Sequence, residues 1–217
     1  MTRSLAEVGA EASGCTRCRL ASTRTQVVFG VGDPDADLLF IGEAPGMHED
    51  RQGEPFVGAA GQLLTTMLGE IGLTRDQVYI ANVLKCRPPG NRDPEPDEIE
   101  TCTPWLVEQI SLIQPRVIAT LGNFATKFVL QTQRGITSMR GSVYPWHGRQ
   151  VIPTFHPAAI LRGGGTTGRQ YGDFREDFHL MRATLDAATA PPPVPTPGPD
   201  AAEPDADAQD DGQLGLF

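Results

Sequence analysis

The 217-residue chain carries 27 acidic and 18 basic residues, a net charge of −9, and is 39% hydrophobic, enough for one substantial core or two small ones. Six of those acids lie in the last thirty residues, which hold many Pro and Ala and no Lys or Arg; without them the body bears 21 acids against 18 basic residues, about −3. The acidic balance therefore does not exclude a nucleic-acid partner, and the lack of any apolar run of signal-peptide or membrane-span length makes a cytoplasmic protein the expectation.

Four cysteines in a reducing compartment point to metal ligation rather than disulfides. Cys15-Thr16-Arg17-Cys18 forms a knuckle that presents two thiolates to one ion or cluster. Cys86 and Cys102 lie far downstream and complete four-coordination only if the fold brings them to the knuckle. Zinc and an iron-sulfur cluster both accept four thiolates, and spacing does not choose between them. In either case the site would pin an N-terminal segment that has little apolar mass of its own.

Leu38-Leu39-Phe40-Ile41 is an apolar run of strand length that ends in Gly42-Glu43-Ala44-Pro45-Gly46. A carboxylate at the carboxyl end of a buried strand sits where open α/β sheets bind ligands, although a plain strand-to-loop turn has the same appearance. Next, Gly53 to Gly61 leads into a helix with Leu63, Leu64, Met67, Leu68 and Ile71 on its core face. The glycines before that helix free backbone amides that suit a DNA phosphate. Phe56 in this stretch reads as packing or as a stacking platform, and packing is the simpler reading.

A second strand, Val78 to Leu84, carries Asn82 and runs into the Pro-rich loop from Arg87 to Pro94, whose rim Lys85, Arg87 and Arg92 make basic. A helix begins near Asp97, and Pro104 is expected to interrupt it with Thr103 as the cap of a second piece. Val117 to Leu121 is a third strand, with Gly122-Asn123 after it. A hairpin is expected between Ser138 and Gln150. Val151 to Phe155 forms the fourth core strand, followed at once by His156. Asp173 and Glu176 suggest a capping box for a last helix burying Phe174, Phe178, Met181 and Leu185.

Apolar runs separated by helices predict an α/β protein, a three-layer α/β/α sandwich around a central, mostly parallel four-stranded sheet. Glu43, Asn82, Asn123 and His156 each follow a strand, so one cleft at the carboxyl ends gathers them. A carboxylate, a carboxamide, an imidazole and an aromatic ring beside basic loops fit a flat heterocycle on a phosphodiester chain. His can bond an oxygen that gains charge as a glycosidic bond breaks, and Glu can orient water or offset positive charge on the sugar. A lone His before Pro is more often structural, so the reading rests on the set.

At these residues the sequence resembles the family 4, iron-sulfur uracil-DNA glycosylases. The resemblance runs from Cys15 to about Leu185 through Gly42 to Gly46, Pro55 to Gly61, Asn82 to Pro89, His156 to Arg162 and the four cysteines. It implies a uracil-DNA glycosylase-like fold and hydrolysis of the N-glycosidic bond of deoxyuridine in DNA, leaving free uracil and an abasic site. It further implies a [4Fe-4S] cluster on Cys15, Cys18, Cys86 and Cys102, with Phe56 stacking on the extruded base, Asn82 reading its edge and His156 bonding its oxygen. Glu43 would serve the hydrolytic step, Gly42 and Ala44 would line the pocket, and Glu49 matches an acidic position of the first motif. His48 departs from the family's acid at its position. Leu161 or Arg162 is a candidate wedge in the duplex, with a plain surface loop end as the alternative. A related variant traps itself covalently through a His in the loop after the second strand. That stretch here, Arg87 to Glu98, holds no His, which favours turnover over trapping, and intact Glu43, Asn82 and His156 weigh against a non-catalytic lesion binder.

The tail divides into an acidic, Pro-rich linker at 188–212, expected to be disordered, and Gln213-Leu214-Gly215-Leu216-Phe217. Those five residues resemble the motif by which bacterial repair proteins bind the sliding clamp, with Gln213, Leu214, Leu216 and Phe217 as the contacts; the third position departs from the usual Ser or Asp. The alternative is a chance apolar end. Residues 1–187 form the catalytic body, and a monomer is expected.

Overall fold

In a computed structural model, residues 3–187 are described; the tail readings lie outside them. The elements are α1 (Leu5–Ser13), β1 (Val31–Gly32), β2 (Leu38–Gly42), α2 (Met47–Gln52), α3 (Ala59–Glu70), β3 (Tyr79–Asn82), α4 (Pro96–Ile113) and β4 (Val117–Leu121). They continue with α5 (Gly122–Leu130), α6 (Ile136–Met139), β5 (Tyr144–Trp146), β6 (Arg149–Thr154), α7 (Pro157–Arg162) and α8 (Tyr171–Ala187). The strands form one sheet in the order β1-β3-β2-β4-β6-β5.

The four strands expected from the apolar runs are the parallel centre of this sheet, but the sheet has six strands, because β1 and β5 add short antiparallel edges. Those edges have two and three residues and no fully buried position, so they carry no apolar signal. The expected hairpin joins β5 to β6 through His147 and Gly148, both at positive φ, the backbone a tight hairpin turn requires. Arg140-Gly141 instead closes α6.

Every residue of β2, β3 and β4 is buried, and the alternation of the pleat sends their side chains into two cores. Leu38, Phe40 and Ile80 face α3, α7 and α8, where they meet Leu64, Met67, Phe174 and Phe178. Leu39, Ile41 and Ala81 face α4 and α5, against Leu106, Ile110 and Val129. That is the α/β/α sandwich read from the sequence. A third cluster joins Val8 and Ala12 of α1 to Leu84, Cys86, Cys102 and Trp105. No helix among the described residues is long and apolar enough to cross a membrane.

Two helix readings change. α4 runs unbroken through Pro104, and the Thr103 hydroxyl donates to the Ile99 carbonyl at 2.7 Å instead of capping a new helix. Pro104 and Glu100 both lie on the exposed face, where the carbonyl deprived of its donor meets water, while buried Cys102, Trp105 and Leu106 hold the helix down. α8 begins at Tyr171, so Asp173 sits in its first turn and not at a cap.

Asp177 of α8 is fully buried and accepts from Arg140 Nη2 at 2.7 Å and Nε at 3.0 Å and from Thr154 Oγ1 at 2.6 Å. It thereby clips α8 to the end of β6. Asp177→Ala would leave the Arg140 guanidinium, itself only 14% exposed, without that partner. Urea unfolding is expected to show a loss of about 3–5 kcal/mol for this variant.

Candidate functional site

Register brings the site together. Gly42 pairs with Asn82 across β2 and β3, and the ladder continues past the strands, with Val83 N donating to Gly42 O and Leu84 N to Glu43 O. A Cβ on Gly42 would lie 2.3 Å from Asn82 Oδ1 and 2.8 Å from Phe56 Cζ, so both groups close onto bare backbone. Asn82 is buried, and its Oδ1 has no hydrogen-bond partner among the described residues. An unpaired buried amide oxygen costs about 1–3 kcal/mol, a cost a ligand's N–H would relieve.

Phe56 has φ +54°, outside the ordinary range for a bulky residue, and several groups hold it there. Arg75 donates to the Pro55 and Phe56 carbonyls at 2.9 and 3.2 Å. Gly61 lets the Phe56 carbonyl lie where a Cβ would come within 1.6 Å of it. Glu49 Oε1 accepts from Val57 N at 3.1 Å and Gly58 N at 3.2 Å. The amides expected to await a phosphate at the start of α3 are thus engaged by Glu49. The Phe56 ring is largely buried and lies 5.6 Å, centroid to centroid, from that of His156.

His156 caps α7, and its Nδ1 accepts from Ala158 N at 3.1 Å. A backbone N–H can only donate, so Nδ1 bears no proton and Nε2 carries it. Burial, reinforced by Arg162 and opposed by Glu49, pushes the His156 pKa down to about 4, so the ring is neutral at physiological pH. Burial, then Asp93, raises the carboxyl of half-buried Glu43 above its ordinary range.

Two sequence readings change here, those of Asn123 and of the basic rim. Asn123 is exposed and its Oδ1 accepts from Ile136 N at 2.7 Å, fixing α6 instead of joining the site. Lys85 is not on a basic rim; it is buried, and Arg92 is bound to Glu98. Ala44 packs against the third core cluster. Leu161 and Arg162 end α7, both exposed. Sequence reasoning missed Arg75 and Asp50. Buried Asp50 takes the Thr25 amide at 2.8 Å, and the only trace of it was an acid next to the Glu49 position.

All four cysteines line one pocket with Arg17, Arg24, Lys85 and Trp105, around about 300 Å³ of atom-free space partly open to solvent. Cys86 and Cys102 are buried; Cys15 and Cys18 are partly exposed. Lys85 N donates to Cys102 Sγ at 3.2 Å, and Arg24 Nη1 approaches Cys86 Sγ at 3.5 Å. Burial pushes the Cys86 thiol up to about 11 against the pull of Arg24, and raises that of Cys102 against Lys85. Bare thiols here stay protonated, whereas a bound cation inverts that preference. Soft donors, N–H groups aimed at sulfur and nearby cations fit a thiolate-held metal group. Among the described residues, no three His, Cys, Asp or Glu converge on a single ion.

The parallel α/β/α sheet thus gathers a carboxamide, an aromatic ring and a neutral imidazole at its carboxyl edge. The family model of the uracil DNA glycosylase superfamily matches residues 29–179, and the chain belongs to that superfamily. It is 50% identical over 167 residues to a type-4 uracil-DNA glycosylase of Sulfurisphaera tokodaii, covering 73% of this chain and 76% of that protein. Type-4 enzymes of Archaeoglobus fulgidus and Thermotoga maritima are each 49% identical, covering 73% and 68% of this chain and 83% and 78% of their own lengths.

The His156 shift has a measurable linkage. Its folded pKa lies below the ordinary value of 6.5, so the unfolded chain binds more protons between that value and about 4. The resulting stability is complete above pH 6.5 and is lost as pH falls toward 4. Urea unfolding at pH 7 and 4.5 is expected to differ by roughly 2–3 kcal/mol more in the parent chain than in His156→Asn.

Proposed function

We propose that the protein is a monofunctional uracil-DNA glycosylase, hydrolysing the N-glycosidic bond of deoxyuridine to release uracil and leave an abasic site. The observation that carries this reading is the Asn82 amide oxygen, buried and unpaired beside Phe56 and a neutral His156. Uracil presents an N3–H donor and an O4 acceptor on one edge, the complement of a carboxamide with its oxygen free to accept. Cytosine presents the reverse pattern and would leave Asn82 Oδ1 without a donor. Phe56 supplies a face for the extruded base.

As the bond between N1 and C1′ breaks, its electrons go to the base and charge gathers on O2, where the His156 Nε2–H donates. Because that ring is neutral, it stabilises the anion by hydrogen bonding without passing on a proton. The Glu43 carboxylate offsets positive charge on the sugar and orients the water whose oxygen adds to C1′. Glu43 takes the water's proton, and the uracil anion is protonated on release. At the end of α7 the exposed Leu161, with Arg162, fills the space the base vacates in the duplex.

Cys15, Cys18, Cys86 and Cys102 would hold a [4Fe-4S] cluster, which supplies a structural cross-link between the N-terminal segment and the body. The pocket that all four cysteines share supports this, because a cluster offers each thiolate its own iron. Gln213 to Phe217 dock on the bacterial sliding clamp, with Leu and Phe as anchors.

With a labelled uracil oligonucleotide and hot alkali, the parent chain is expected to give alkali-dependent cleavage over many turnovers. Glu43→Gln should lower kcat by about 10²- to 10⁴-fold. A stable protein-DNA band, or no release of uracil, would contradict this function. Deleting 213–217 is expected to abolish capture on an immobilised clamp while leaving uracil release intact; retained capture would remove the docking role.

A further inference from the structure

The side chain of Lys85 is almost the largest fully buried one in the protein, at 1% exposure, and the chemistry above leaves it without a task. Burying a cation and a four-carbon stem is costly, and burial, partly offset by Cys102 and Cys86, lowers its pKa to about 7. Where it points is specific. Its backbone N donates to Cys102 Sγ at 3.2 Å, and its backbone O accepts from Val28 N at 2.8 Å. The side chain folds back along its own strand, so that Nζ donates to Asn82 O at 2.7 Å and to Gln109 Oε1 at 2.5 Å, with the Phe29 ring centroid 5.9 Å away. One residue therefore holds the thiol site by its main chain and the base-reading residue by its side chain.

Asn82 needs such a hold. No described group bonds its Oδ1, so the amide is not steered by a side-chain neighbour, and its aim depends on the main chain that carries it. Toward β2 that chain is fixed by the ladder around Gly42. On the opposite side its carbonyl is fixed by Lys85.

We propose that Lys85 is a positioning residue, tying Asn82 to the four-thiol site so that the pocket's grip on the extruded base depends on the Lys85 contact to the Asn82 carbonyl. This rests on the glycosylase reading. Either protonation state of the amine can donate that hydrogen bond, so the tie does not depend on its titration.

The test uses the full-length, iron-loaded protein. Lys85→Met keeps the length and apolar stem and removes the donor. Free uracil is used as a competitive inhibitor, abasic-site DNA as a ligand that lacks the base, and iron content with visible absorbance as the check on the thiol site. A positioning role predicts about tenfold weaker inhibition by uracil, with affinity for abasic DNA and iron content unchanged. A merely structural role would lower the melting temperature without separating the two ligands. Unchanged uracil inhibition in the loaded variant overturns the proposal. Should Lys85→Met fail to fold or to load iron, Gln109→Met removes the second acceptor of Nζ, together with the Gln109 Nε2 contacts to Phe29 O and the Tyr79 hydroxyl, and leaves Lys85 itself in place. It is expected to weaken uracil inhibition in the same direction, and an unchanged value there overturns the proposal equally. A parent chain that releases no uracil in the same assay overturns the glycosylase reading, and this inference with it.

Discussion

The missing side chain at Gly42 is the constraint on which the site depends. The parallel register sets Gly42 beside Asn82, and a single methyl group there would lie within 2.3 Å of the amide oxygen and 2.8 Å of the Phe56 ring. Bare backbone thus forms one wall of the slot, and polar and aromatic walls approach it more closely than side-chain packing allows. The strained Phe56 backbone then becomes intelligible. Its ring can reach that wall only because Arg75, Glu49 and the close contact at Gly61 hold the loop in a conformation that a free chain avoids.

Dryness links the remaining groups. The same burial that keeps His156 neutral raises Glu43, raises the Cys86 and Cys102 thiols and lowers Lys85. In each case burial disfavours the charged form, and the neighbouring groups reinforce or oppose that effect to different degrees. The end of β3 concentrates this arrangement, because Asn82, Lys85 and Cys86 follow one another within five residues and serve two sites from one stretch of chain.

The central strands were legible because each is buried on both faces and reads as an unbroken apolar run. The edge strands have no period to detect in their two or three residues, and β5 was legible only through the turn of its hairpin. Gly42, Glu43, Asn82 and His156 could be placed at one sheet edge from their positions after strands alone. Asn123 satisfied the same rule and failed, because a polar side chain at a strand end serves local structure equally well. Lys85 differs from its reading because a charged residue in a loop is normally solvated, and only the fold shows its ammonium turning inward; likewise only the fold shows that the Glu49 carboxylate fills an amide pair. Pro104 misled because its cost depends on whether the orphaned carbonyl faces water.

The thiol pocket draws on opposite ends of a long stretch, with Cys18 separated from Cys102 by about 84 residues. During synthesis the knuckle leaves the ribosome first, and at about 5–20 residues per second its last partner follows on the order of ten seconds later. Over that interval Val8 and Ala12 of α1 lack Trp105 of α4, and Cys15 and Cys18, just after α1, lack their last partner, Cys102. Chain order therefore puts the knuckle out first, then its two distant cysteines, and only afterwards His156, the last of the groups gathered at the sheet edge.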